Sequence, residues 1–251
     1  MEYGIFCYFG RLGSGKTYAM VRDILDFLEK GHVVYTNIKI DWDGYEEKVT
    51  PLRKFLYRIG KKKYFVRYPK SNLRYIATDE QFHERFEKLK DCIVALDEAY
   101  VLFDSYQMTK MPLRQRMAIL HTRKARRSIL YTSQRITSVH KELRNMTNVF
   151  YQCDKVKLPF IGWRFRRVEH ELVDVNNGQL DENVLSVKSY NAKQKYFDMY
   201  DTKEFVGYQP EFEEDTEPRF EYFVPQILEK KEKTNKLGIK AKLGGNIKEK
   251  S

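Results

Sequence analysis

Gly10-Arg11-Leu12-Gly13-Ser14-Gly15-Lys16-Thr17 fits the spacing G-x-x-x-x-G-K-[ST] in full. Tyr3 to Phe9, just before it, is continuously apolar and aromatic, as expected of a strand buried on both faces. Behind it, Met20, Ile24 and Leu28, beside Val21 and Leu25, form one helical stripe that stops at Gly31. His32 to Ile38 is again β-rich. Strand, crossover helix and strand predict a right-handed βαβ unit of a parallel sheet. In that setting residues 10–17 form an anion nest, whose glycines let backbone N–H groups turn inward at a helix N-terminus. Lys16 sets a charge on the β- and γ-phosphates, and Thr17 offers its hydroxyl to Mg²⁺.

Working outward, the apolar run Cys92-Ile93-Val94-Ala95-Leu96 ends abruptly in Asp97-Glu98. A carboxylate at the carboxyl end of a parallel strand beside the phosphate loop suits the metal shell, the role assigned to Asp97. Glu98 is the candidate general base that orients and deprotonates water, which favours hydrolysis over simple nucleotide binding. Ile129-Leu130-Tyr131-Thr132 is a further short strand, expected beside the Asp97 strand, and Gln134 after it is a candidate γ-phosphate sensor. Arginines crowd this region: Arg114, Arg116, Arg123, Arg126 and Arg127 before the strand, Arg135 and Arg144 after it. One of Arg123, Arg126 or Arg127, or else Arg135, is the candidate to reach a neighbouring subunit's transferring phosphoryl group.

The chain has 251 residues and a formal net charge of +11, with 42% hydrophobic and 14% aromatic residues. That composition supports a sizeable core and argues against disorder over the whole chain. No stretch reaches the roughly 18 apolar residues of a membrane span, and Met1-Glu2-Tyr3-Gly4 does not open a signal peptide. Cys7, Cys92 and Cys153 lack metal or disulfide spacing, the five histidines read as structural, and Trp42 and Trp163 read as packing residues. The excess positive charge points to a polyanion. Lys54 to Thr78 holds eight basic and no acidic residues, interleaved with tyrosines; a nucleic-acid surface and a solvated Tyr-rich hairpin explain it equally well.

The organisation expected is an α/β core over 1–157 with a basic insertion at about 53–78, a β-rich extension over 158–228, and a Lys-rich tail over 229–251. Within it, Pro112 opens a helix to about Arg127. Residues 139–146 form a short helix, residues 148–156 and 163–173 strands, Asn176-Asn177-Gly178-Gln179 a hairpin turn, and 211–221 an acidic surface loop.

Gly10 to Thr17, Val33-Val34-Tyr35-Thr36-Asn37-Ile38, Ala95-Leu96-Asp97-Glu98-Ala99 with Leu102-Phe103, Leu130-Tyr131-Thr132-Ser133-Gln134 and Tyr200-Asp201-Thr202 together resemble the zonular occludens toxin (Zot)-like ATPase domain, over residues 1 to 202. The resemblance implies a P-loop NTPase with a RecA-like core, allied to the FtsK–HerA DNA-pumping motors. It also implies ATP and Mg²⁺ as ligands, ring homo-oligomers (hexamer or pentamer), and movement of DNA in viral packaging or virion assembly. Filamentous-phage members usually carry a transmembrane helix after this domain. Here the sequence ends in a charged tail, so a packaging motor in the host cytoplasm is expected rather than an extruder. Contact with a membrane, a capsid protein or an assembly protein is a further expectation, and no residue supports a toxin activity. A nucleotide kinase and an ATP-dependent scaffold without translocation are the alternatives.

Overall fold

The computed structural model describes residues 3–78, 82–105, 111–160, 162–174, 179–180, 184–200, 219–223 and 225. Strand β1 (Ile5–Phe9) leads through the glycine loop into α1 (Lys16–Leu28), and β2 (Val33–Thr36) returns. Then come β3 (Tyr45–Glu46), α2 (Pro51–Arg58), β4 (Phe65–Tyr68), β5 (Leu73–Tyr75), α3 (Phe82–Lys88), β6 (Cys92–Leu96), α4 (Leu113–Leu120) and β7 (Ser128–Ser133). The chain continues as α5 (Lys141–Asn145), β8 (Val149–Leu158), β9 (Gly162–His170), β10 (Leu172–Asp174), β11 (Gln179–Leu180), β12 (Ser186–Asn191), α6 (Gln194–Phe197) and β13 (Glu221–Phe223).

Eight strands form the central sheet in the order β12-β9-β8-β1-β7-β6-β2-β5. The six from β8 to β5 run parallel, and β9 and β12 extend the sheet antiparallel from β8. Alternation along each strand feeds two cores, because successive side chains leave a strand on opposite faces. Cys7, Val94 and Tyr131 meet Phe82, Phe86, Ile119 and Leu143 from α3, α4 and α5. Tyr8, Ala95 and Leu130 meet Met20, Ile24 and Leu28 of α1. This is the expected α/β class, with β7 lying between the strand that feeds the loop and the strand that ends at Asp97.

Three expectations change. The helix opened by Pro112 stops at Leu120, and the chain turns through Arg126, at φ 50°, into β7. The physical cause is Arg127, whose buried guanidinium donates to the carbonyls of Phe86, Leu89 and Ala118 and draws the chain inward. Second, the basic stretch is not one insertion: β4 joins β3 and β13 in a small separate sheet, whereas β5 is an edge strand of the central one. Third, the strand from Trp163 breaks after His170, and Leu172–Asp174 pairs with β11 instead. Residues 176–178 of the hairpin turn, 211–218 of the acidic loop, Asp201, Thr202 and the tail lie outside the described residues. Among the described residues no helix is long and apolar enough to cross a membrane.

Candidate active site

The loop after β1 is built by backbone conformations that side chains resist. Gly15, at φ 90°, precedes the first turn of α1, and Gly10 stands at φ 149°. Space forbids side chains there as well: a Cβ on Gly10 would lie 2.5 Å from the Cys153 carbonyl oxygen, and one on Gly15 would lie 2.3 Å from the Phe165 ring. The loop closes on itself through Ser14 N–H to the Arg11 carbonyl at 3.0 Å. Lys16 Nζ donates to that same carbonyl at 3.2 Å. Burial pushes the Lys16 ammonium below its ordinary pKa, and Asp97 opposes this. Ser14 Oγ is buried and has no hydrogen-bond partner among the described residues. A buried hydroxyl without a partner, a buried lysine satisfied by one carbonyl, and a helix N-terminus make a niche that fits a polyphosphate. Arg11, Leu12 and Gly13 are exposed at its crest.

Asp97 sits two strands away and is tied to this niche from three sides. Thr17 Oγ1 donates to its two carboxylate oxygens at 3.1 and 3.2 Å. Thr132 Oγ1, from the intervening β7, donates to Oδ1 at 2.5 Å. Asn37, just past β2, brackets the Asp97 backbone, accepting from its N–H at 2.7 Å and donating to its C=O at 3.0 Å. Burial raises the Asp97 pKa, while hydrogen bonds from Thr132 and Thr17 lower it. One hydroxyl and one carboxylate in contact, beside a phosphate niche, fit Mg²⁺, which usually takes one or two carboxylates and completes its shell with phosphates and water. Thr17 and Asp97 would hold it, and it would neutralise charge on the β- and γ-oxygens.

Glu98 adopts a left-handed backbone, φ 51° and ψ 53°, which a non-glycine residue holds only at a cost of about 1–3 kcal/mol. Its N–H donates to Thr132 Oγ1 at 2.8 Å, and its carboxylate accepts from Tyr100 OH at 3.2 Å. Thr132 therefore holds the Asp97 carboxylate and the Glu98 backbone with one hydroxyl. Gln134 and Arg135 are exposed at this same end of the sheet, directly after the Phe9–Ser133 pair of β1 and β7.

The other arginines lie elsewhere. Arg123, Arg126 and Arg127 precede β7 and so stand at the opposite end of the sheet from the phosphate loop. Arg126 pairs with Asp91 at 2.5 Å. Arg127 is 1% exposed, Nη1 and Nη2 of its guanidinium are spent on carbonyls, and burial depresses its pKa to about 10. That removes it from the candidates to reach another subunit, because a group committed inside its own core has no reach outside it. Arg114 and Arg116 pair with Glu87 and Glu142 on the surface.

The sequence reading missed Thr132, Tyr100 and the bracketing role of Asn37. Of the two tryptophans expected to pack, Trp42 is buried, but Trp163 is 45% exposed. The signal for Thr132 was its place at the carboxyl end of a strand beside the carboxylate strand.

A glycine nest with a buried lysine, a hydroxyl–carboxylate pair for the metal and a braced second carboxylate define a P-loop NTPase, with the parts needed to hydrolyse ATP. More particularly, the chain belongs to the Zonular occludens toxin (Zot) family, whose profile matches residues 4–204. No curated protein matches the sequence. Among solved structures it is similar to the N-terminal domain of zonular occludens toxin from Neisseria meningitidis. That likeness has a TM-score of 0.51 at 18% identity and covers 80% of this chain and 100% of that one. The genome packaging NTPase B204 from Sulfolobus turreted icosahedral virus 2, in complex with ATP-gammaS, gives a TM-score of 0.44 at 15% identity over 71% of this chain and 95% of its own. The flagellar accessory protein FlaH from Methanocaldococcus jannaschii gives 0.42 at 12% identity, over 72% and 90%.

Proposed function

We propose that this chain is an ATP-driven motor that moves DNA in viral genome packaging or virion assembly, acting as a ring of identical subunits, hexameric or pentameric. The observation that carries the reading is the junction at Thr132, where one hydroxyl holds the Asp97 carboxylate, itself bonded to Thr17, and accepts from the Glu98 backbone N–H. A binding switch has no use for a strained, braced second carboxylate; a hydrolase does. When bound, Mg²⁺ supplies charge neutralisation on the transferring phosphoryl group. Lys16 orients the phosphates, Glu98 takes the proton of the attacking water, and Gln134 senses the γ-phosphate. Arg123, Arg126 or Arg135 serves the site of a neighbouring subunit. Charge supports a DNA partner: Arg58, Lys61 and Lys63 are exposed on and after α2, with Tyr64 beside them. Such a surface neutralises phosphates and offers a ring for stacking. The motor works in the host cytoplasm, docked on a capsid, membrane or assembly protein.

The test is steady-state ATP hydrolysis with and without DNA, together with mass measurement of the ATP-bound protein. Stimulation by DNA and a closed ring are expected. Hydrolysis indifferent to DNA in a monomer would sink the motor, and phosphoryl transfer to a nucleoside monophosphate would replace it with a kinase.

A further inference from the structure

The flank of the loop away from Asp97 carries a second arrangement. β8 continues past the end of β1, whose last paired residue is Phe9 opposite Gln152, and β9 turns back along it. Period-two alternation puts Cys153, Lys155 and Lys157 of β8 on one face with Trp163, Phe165 and Arg167 of β9, paired Cys153–Arg167, Lys155–Phe165 and Lys157–Trp163. This face looks onto α1. Arg167 pairs with Asp23, and Phe165 stacks on Tyr18 with ring centroids 4.4 Å apart while covering Gly15. The next rung outward is Trp163. Its indole is half exposed, with the Lys155 and Lys157 ammonium groups 4.8 and 5.9 Å from the ring centroid. Lys155 also reaches the loop itself, with Nζ 3.5 Å from where a Cβ on Gly13 would stand. Neither lysine has a carboxylate within ion-pair distance among the described residues.

We propose that Trp163 is the platform on which the base of the bound nucleotide stacks, with Lys155 bridging from that ring to the phosphates. The inference rests on the ATP-binding reading of the loop. Thr17 and Asp97 would hold the metal, and with it the terminal phosphates, on the β7–β6 side, which sends the nucleoside from the loop towards β8 and β9. There the indole offers an exposed flat apolar surface, whereas the Phe165 ring nearer the loop is buried. A base placed on it shields a ring that otherwise faces water, and the flanking ammonium groups lie where negative phosphates arrive. Stacking uses the π-face that every base has, so this platform accepts purines with little discrimination.

Titration calorimetry on the full chain tests this with Mg–ATPγS and, as a base-free probe, Mg–tripolyphosphate. Trp163→Ala is expected to weaken ATPγS by about tenfold or more, the scale of a lost base–aromatic stack, and to leave tripolyphosphate unchanged. Trp163→Phe retains most of the affinity, whereas Lys155→Ala weakens both probes. Wild-type affinity for ATPγS in Trp163→Ala overturns the proposal. So does loss of DNA binding in that variant with ATPγS unaffected, which would make the arm a nucleic-acid contact instead. A wild-type chain that binds neither probe brings down the phosphate-loop reading itself, and the platform with it.

Discussion

The two flanks of the phosphate loop are held by different physics. On the β7–β6 side the contacts are directional: Thr17 and Thr132 donate to Asp97, Asn37 brackets its backbone, and Thr132 accepts from Glu98. On the β8–β9 side the contacts are steric: the Cys153 carbonyl closes on Gly10 and the Phe165 ring on Gly15. Charge changes during phosphoryl transfer, so the flank that meets it needs donors and acceptors fixed in advance. The other flank has only to keep the nest in shape. Hydrogen-bonding changes should therefore alter turnover, and shape changes should alter binding and stability.

The largest effect is expected at Glu98. Glu98→Gln keeps the size of the side chain and its contact with Tyr100 but removes the base. Turnover should fall by about 10²–10⁴, the usual worth of a general base. Affinity for ATP should change little. Comparing hydrolysis with equilibrium binding checks both, and a variant hydrolysing at the wild-type rate would place the base elsewhere.

Next is Gly10→Ala, on the steric flank. The new Cβ meets a backbone carbonyl at 2.5 Å, at a φ that L-residues avoid. Neither a rotamer change nor a flexible side-chain end relieves that clash. A loss of about 1–3 kcal/mol is expected for the strain alone, read as a lower melting temperature, together with loss of ATP binding. At Gly13 the neighbour is only the mobile end of Lys155, so Gly13→Ala should be the milder of the two.

A smaller effect tests the junction. Thr132→Val preserves shape but removes a hydroxyl that serves Asp97 and Glu98 together. Leaving one N–H and one carboxylate oxygen short costs about 1–3 kcal/mol, so turnover should drop by roughly tenfold or more, with KM nearly constant. Thr132→Ser should recover most of it.

The sequence carried one flank better than the other, and the reason is range. Residues 10–17 and the pair Asp97-Glu98 declare themselves through local spacing, and two parallel strands that end at the same end of the sheet, one strand apart, bring Thr17 to Asp97. Thr132 is a β-branched residue in a strand and reads as a β-former; its role emerges only because β7 is threaded between β1 and β6. Arg127 misled because a charged side chain in an arginine-rich stretch reads as solvated, whereas its guanidinium satisfies three carbonyls where α3 and α4 meet. Trp163 misled in the opposite sense: a tryptophan on an alternating strand reads as core, but β8 and β9 carry it past the edge of the sheet. The stretch free of acidic residues looked like one insertion because charge composition is blind to β5, whose Leu73 pairs with Val34 inside the main sheet.

The smallest effect is the sharpest test of the contrast. Phe165 is 4% exposed, and its flat face fills the space a Gly15 side chain would take while stacking on Tyr18. Phe165→Leu keeps the apolar character but loses that face, a shape change costing about 1 kcal/mol. Gly15 and the first turn of α1 then lose their stop on one side and sample more conformations, which weakens the fit to phosphates. No donor to Asp97 or Glu98 is touched. The expected outcome is a raised KM, a melting temperature lower by a few degrees, and a kcat within about twofold of wild type, given that the reacting groups are positioned from the other flank. Thr132→Val should show the converse, lowering kcat with KM held. If both variants lowered kcat with KM unchanged, the flanks would act as one unit, and the division between a chemical side and a shaping side would fail.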